Sequence, residues 1–153
     1  MNDIMIRLAV IEDAALLLSW LNSADSLRWK QNTAGPVSPM EHDNWLRSQL
    51  ADPATKIWII VRSDVDIGQV RLEKKTDFVY TDIYLSPAAR GNNSASVGLN
   101  NALEEYSNID GGQHFCAIVH INNESSQSLF AKNGFKLIEN DDGDWLKFIR
   151  YAQ

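Results

Sequence analysis

Residues 85–106 carry the groups in this chain best suited to chemistry. The segment Leu85-Ser-Pro-Ala-Ala-Arg-Gly-Asn-Asn-Ser-Ala-Ser96 runs directly into Val97-Gly-Leu-Asn-Asn-Ala-Leu-Glu-Glu-Tyr106. A strand over Tyr80–Leu85 meets a proline, a loop of small and polar residues follows, and a helix starts at once. Side chains this small let backbone N–H groups approach an anion closely. The first turn of a helix adds unpaired amides and the positive end of its dipole. The chemistry implied is capture of a pyrophosphate, and so of a phosphorylated cofactor. Arg90, Gly91, Asn92, Asn93, Ser94, Ala95 and Ser96 are the gripping residues, with a local positive field around Arg90.

A second group of usable side chains lies in Val119-His-Ile-Asn-Asn-Glu-Ser-Ser-Gln-Ser-Leu-Phe-Ala-Lys-Asn-Gly-Phe135. Asn123 is a good helix N-cap and Gly134 a good residue to follow a helix, so Asn123 is either a structural cap or a ligand contact. Proton-transfer candidates are few. Asp82 lies in Tyr80-Thr-Asp-Ile-Tyr-Leu85, where alternation puts Tyr80, Asp82 and Tyr84 on one sheet face and Ile83 and Leu85 on the other. It is a general base or amine anchor, or else a solvated carboxylate. His42, between Glu41 and Asp43 on a helix, has a surface setting, and His120 ends a strand beside Asn122 and Asn123. Imidazole is the side chain suited to proton transfer near neutrality, which makes both candidates. His114 reads as structural. Cys116, between Phe115 and Ala117, reads as a small buried hydrophobe. The three histidines are scattered, and no metal centre is expected.

These groups need a scaffold. Met5 to Val10 reads as a strand, and Glu12-Asp13 opens a helix bearing Ala14, Leu17, Leu18 and Leu21 on one side. A short helical piece over Asp25–Lys30 precedes a loop at 32–39. Ser38-Pro39-Met40-Glu41 then forms a capping box for a helix that carries His42, Trp45, Leu46 and Leu50 and ends near Asp52-Pro53. Strands follow over Lys56–Arg62 and Ile67–Glu73, joined by a turn at Asp64–Asp66, and over Phe78–Leu85 after a turn at Thr76-Asp77. A helix over Ser94–Tyr106 is broken by Asp110-Gly-Gly112. A strand (His114–His120), a helix (Asn123–Asn133) and a strand (Phe135–Glu139) come next. A hairpin turn at Asp141–Asp144 leads to Trp145–Tyr151. A run of antiparallel strands merging into β-α-β-α-β implies an α+β fold with one mixed sheet flanked by helices.

The totals bound the partners. With 153 residues, 44% of them hydrophobic, the chain is expected to form one domain, 1–153, with a proper core. A net charge of −6 without any Lys/Arg cluster argues against nucleic acid. No apolar run is long enough to span a bilayer, and the N-terminus lacks the basic start and apolar body of a signal peptide. A single cysteine excludes an internal disulfide. A cytoplasmic protein is expected.

The loop at 90–95 resembles the acyl-coenzyme A site of GNAT N-acetyltransferases, which carry Arg/Gln-x-x-Gly-x-Gly/Ala there. Arg90 and Ala95 fit, and Asn93 stands for the central glycine, being the non-glycine residue most tolerant of a left-handed backbone. The second segment is similar to the family's other motif at Asn123, Ser126, Phe130, Lys132 and Gly134-Phe135, and the element order agrees over essentially the whole chain. The resemblance implies a mostly antiparallel sheet of about seven strands with a splayed central strand pair. It also implies acetyl-CoA as co-substrate, with Leu85, the loop, Asn123, Ser126, Phe130 and Lys132 around it and the thioester near Leu85-Ser86. A small-molecule amine is the acceptor, no metal is needed, and a homodimer is allowed. Many members have a tyrosine at the place of Phe130 that protonates the departing thiolate; phenylalanine has no proton to give. Trp20, Asn22, Arg28 and Trp45 look like the acceptor segment of GNAT enzymes that acetylate nucleotide-linked amino sugars in the pseudaminic and legionaminic acid pathways. Packing is the alternative for the tryptophans.

Overall fold

A computed structural model describes residues 3–29 and 35–152. The chain runs through β1 (Ile4–Leu8), a 3-10 turn at Ile11–Asp13, α1 (Ala14–Leu21), α2 (Ala24–Arg28), α3 (Pro39–Ala51), β2 (Thr55–Arg62), β3 (Val65–Lys74) and β4 (Val79–Leu85). A second 3-10 turn at Pro87–Ala89 leads to α4 (Ser94–Ile109), β5 (Phe115–His120), α5 (Glu124–Lys132), β6 (Lys136–Asp142) and β7 (Trp145–Arg150). Lys30, from the expected second helical piece, and residues 32–34 of the expected loop lie outside the described residues.

The seven strands form one sheet in the order β1-β2-β3-β4-β5-β7-β6. Every neighbouring pair is antiparallel except β4 and β5. That parallel pair is in register only at Val79 with Phe115 and Tyr80 with Cys116. Beyond Tyr80 the two strands part, which is the expected splay.

Both sheet faces are covered over β2, so its sequence is a continuous apolar run rather than an alternation. Ile57 and Ile59 pack with Leu17, Trp20 and Leu46 beneath α1 and α3. Trp58 and Ile60 join the larger core with Leu99, Leu103 and Tyr106 of α4 and Phe130 of α5. Helix α4 lies close over the sheet because residue 98 is glycine; a Cβ there would sit 2.7 Å from Ile60 Cδ1. On β4 the expected alternation holds. Val79 and Leu85 enter the larger core, and Tyr80, Asp82 and Tyr84 take the opposite face.

Several boundaries differ from those read in the sequence. The β2–β3 turn is Ser63-Asp64 rather than Asp64–Asp66. Both residues take positive φ (48° and 66°), the two-residue hairpin that matches strand twist, so Val65 and Asp66 join the strand. The last hairpin turns at Gly143-Asp144, with Gly143 at φ 53°, and β6 extends to Asp142. The first helix is preceded by a separate 3-10 turn held by Asp13, which accepts from the Val10 amide at 2.9 Å and pairs with Arg7 at 2.8 Å. The capping residue Ser38 accepts from the Glu41 amide as expected, at 3.2 Å.

Candidate active site

The start of α4 is open to an anion. Gly91 (φ 89°) and Asn93 (φ 69°, ψ 7°) bend the chain into the helix, and Asn93 takes the left-handed conformation expected of it in place of glycine. The Val97 amide, the first in the helix to find a backbone carbonyl, bonds to Asn93 at 3.1 Å. Among the described residues, the amides of Gly91, Asn92, Asn93, Ala95 and Ser96 have no such partner. The Arg90 amide is spent on the Pro87 carbonyl at 3.3 Å, so the open row starts one residue later than the sequence implied.

The second motif braces the first. From the end of α5, Lys132 Nζ donates to Asn93 Oδ1 at 2.7 Å, and Asn133 Nδ2 donates to Ser96 Oγ at 3.0 Å. From the end of β2, Arg62 donates to Ser94 Oγ at 2.9 Å. Ser94 is buried at 3% exposure and acts as a brace, not a phosphate contact. Arg62 and Asn133 escaped the sequence reading. Asn133 stood beside the recognised Gly134-Phe135, but Arg62 carries no local signal because it arrives from a distant strand.

Arg90 does not aim its charge over the amides as expected. Its Nε donates to the Leu85 carbonyl at 2.9 Å, its guanidinium lies 5.7 Å from the Tyr84 ring centroid, and it forms an ion pair with Asp25. A carboxylate on α2 and a carbonyl at the strand end together outcompete the loop for it. The cations that touch the loop are instead Lys132 and Arg62.

The splay supplies the rest of the donor cleft. The Ser86 amide donates to the Ile67 carbonyl at 2.8 Å, so it is not free to polarise a thioester lying near Leu85-Ser86. Alternation along the β3–β4 ladder then turns the Leu85 amide the other way, towards the gap left by β5. Gly68, opposite Leu85, lets the strand end come in; a Cβ at 68 would meet the Tyr84 carbonyl oxygen at 2.2 Å. At the far side of the gap Asn123 caps α5, its Oδ1 accepting from the Ser126 amide at 3.3 Å. Its Nδ2 has no partner among the described residues, so cap and ligand contact are compatible. Phe130 is buried at 3% exposure with its ring 5.0 Å from that of Phe135, and serves the core.

The proton-transfer candidates separate. Asp82 is exposed on the sheet face shared by Tyr80 and Tyr84, opposite Arg71 in the ladder. His42, expected at the surface, is buried at 2% exposure with its ring 5.6 Å from Trp45, because its turn of α3 faces inward beside Leu46. His120 stands between two indoles, Trp29 at 5.4 Å and Trp145 at 5.0 Å. Its Nδ1 accepts the Asn122 amide at 3.1 Å, which leaves Nε2 as the ring nitrogen for any further partner.

The expected acceptor residues are mostly engaged elsewhere. Trp20 is buried against Tyr84 at 5.7 Å. Asn22 is spent on the backbone of Val37, donating and accepting at 2.8 Å. Trp45, 41% exposed, lies under the Arg71 guanidinium at 5.8 Å, over β3 rather than over the splay. Arg28 remains exposed, stacked at 4.5 Å on Trp29, which in turn faces His120. Among the described residues no group of three or more His, Cys, Asp or Glu side chains is placed to hold a metal, and no helix is long and apolar enough to cross a membrane.

Known proteins share this architecture. A domain from Methanocaldococcus jannaschii aligns with TM-score 0.86 at 20% identity, covering 99% of this chain and 100% of that one. The spermidine N-acetyltransferase of Vibrio cholerae, solved with CoA and spermine, aligns with TM-score 0.85 at 16% identity, covering 98% and 96%. The ribosomal alpha-N-protein acetyltransferase RimL, solved with coenzyme A, gives 0.84 at 15% identity, covering 99% and 96%. No curated protein matches the chain by sequence. Residues 3–136 match the family model described as Acetyltransferase (GNAT) domain, and with most of its length inside that match the chain belongs to the GNAT acetyltransferases.

Proposed function

We propose that this enzyme transfers an acetyl group from acetyl-CoA directly to a primary amine. The observation that carries the reading is the convergence of Lys132 and Asn133 on the open amides at the start of α4, beside the gap between β4 and β5. The amides of Gly91, Asn92, Asn93, Ala95 and Ser96 and the Lys132 ammonium suit the pyrophosphate. The pantetheine arm runs along the gap past Asn123, and the Leu85 amide polarises the thioester carbonyl. The amine attacks that carbon from the Tyr84 face, the C–S bond breaks, and the amine's proton passes to Asp82 directly or through water. Phe130 has no proton to give the sulfur. The thiolate departs as the anion, which is tolerable because ordinary thiols titrate at about 8.5.

The acceptor we infer is the amino group of a nucleotide-linked aminodeoxy sugar. What supports this is the exposed Arg28 guanidinium on Trp29, beside His120 and Trp145. That cluster offers a cation for a diphosphate and flat rings for a base or sugar. Thiol release from acetyl-CoA, followed over a panel of nucleotide-linked amino sugars, peptides and polyamines, tests both levels. Turnover of the sugars alone is expected. Turnover confined to peptides or polyamines would move the acceptor while keeping the reaction. Buried Phe130 favours one second reading, an acyl-CoA-binding module without turnover. Tight binding with no thiol release for any amine would establish it.

A further inference from the structure

Helix α2 is tied to both sides of the gap between β4 and β5. The last paired residues of those strands are Tyr80 and Cys116. Val79 and Phe115 beside them enter the larger core, so Tyr80 and Cys116 face the other way. Further along that same face stand Tyr84 on β4 and His120 on β5, at equal steps beyond the last pair and so at one level across the opening. On the β4 side Asp25 pairs with Arg90, whose guanidinium lies 5.7 Å from the Tyr84 ring centroid and whose Nε donates to the Leu85 carbonyl at 2.9 Å. On the β5 side Trp29, which caps the end of α2, lies 5.4 Å from the His120 ring. Asp25 and Trp29 stand one helical turn apart, so both ties leave from one side of α2.

These side-chain ties decide where α2 sits. Among the described residues, none of the five in α2 is buried, and none joins either apolar core. A helix this short has little stability of its own. Ser23 caps its start, accepting from the Ser26 amide at 3.2 Å, and anchors it to α1 by donating to the Trp20 carbonyl at 2.8 Å. An exposed ion pair and one ring contact are each weak. Together they hold α2 across the opening, and separately they let it lift for an incoming amine. Arg90, turned away from the loop amides, is the post on which the helix rests.

We propose that α2 is a crossbar that shields the thioester from water on the acceptor side, with Asp25, Arg90 and Trp29 as the positioning residues that hold it. The proposal rests on the acyl-CoA reading above and is independent of which amine is acetylated. Water reaching the thioester would take the amine's place: its oxygen bonds to the carbonyl carbon, the C–S bond breaks, and acetate, the CoA thiol and a proton leave. Thiol release from acetyl-CoA with no amine present reads this leak, with calorimetry of CoA alongside. Asp25→Asn and Trp29→Ala should each raise the leak about two- to fivefold, the population change that loss of one weak surface contact gives, with CoA affinity unchanged. Asp25→Glu and Trp29→Phe, which keep the charge and the ring, should recover most of the shielding. Asp43→Asn, which breaks a surface ion pair on α3, should leave the leak at the native rate. An unchanged leak in Asp25→Asn with CoA bound as tightly as before would overturn the proposal and leave the acyl-CoA reading standing, as would an equal rise in Asp43→Asn. No uptake of CoA by the native protein would overturn both.

Discussion

The two halves of the cleft use the same kinds of residue to opposite ends. Around the start of α4, three polar side chains from two distant elements turn inward to hold a loop whose backbone donors stay open: Lys132 on Asn93, Asn133 on Ser96, Arg62 on Ser94. Around α1–α3, equally suggestive residues satisfy one another. Asn22 is spent on Val37, Arg90 on Asp25 and the Leu85 carbonyl, and Trp20 on Tyr84. A site made of main-chain donors depends on local conformation, which asparagine, glycine and serine fix within a few residues. A site made of side chains depends on which of them find each other first.

The sharpest way to break this contrast is Asp82→Asn. With Asp82 as the proton acceptor, kcat/KM should fall by about 10²–10³ with acetyl-CoA affinity unchanged. A loss below threefold would return Asp82 to the status of a solvated carboxylate. Next come two substitutions with opposite signatures. Lys132→Gln should weaken acetyl-CoA about tenfold, measured by calorimetry, with little change in melting temperature. Asn22→Ala should leave donor and acceptor KM alone but cost about 1–3 kcal/mol of stability in urea unfolding, through the unpaired Val37 backbone. If Asn22→Ala instead raised the acceptor KM at unchanged stability, Asn22 would belong to the site after all.

The smallest effect concerns the entry to α1. Arg7 holds the Asp13 carboxyl below the ordinary carboxylate range, chiefly by a direct hydrogen bond. The folded value is thus lower than the unfolded value of about 3.9. The pair therefore contributes its full stability above that value and loses it as pH falls through the lower folded one. Asp13→Asn should cost about 1 kcal/mol at neutral pH, since Arg7 is partly solvated. Unfolding midpoints of variant and native protein should converge as pH falls below the ordinary carboxylate range, with cofactor binding unaffected at neutrality.

Much of the scaffold was legible before the structure. Alternation in 80–85 placed Asp82 and Leu85 on opposite faces, Ser38 capped its helix, and Asn93 took the backbone that its type tolerates. These features are local, and each follows from a few neighbouring residues. His42 misled because charged Glu41 and Asp43 flank it, while its own direction is set by the turn of α3 that packs inward at Leu46. Arg90 misled because the carboxylate that takes it lies on α2. The bracing Arg62 was invisible for the same reason: its partner is 32 positions away.

Gly68 gives the gap a gauge. Because nothing larger than hydrogen fits against the Tyr84 carbonyl, the end of β4 is seated by a missing methyl group rather than by a bond. Alanine there would act as a shim, shifting the Leu85 donor relative to Asn123 across the opening. The reach between those two groups is thereby tied to one position on a strand that contributes nothing else to the reaction, and the tolerance for acyl groups of different length would change with it.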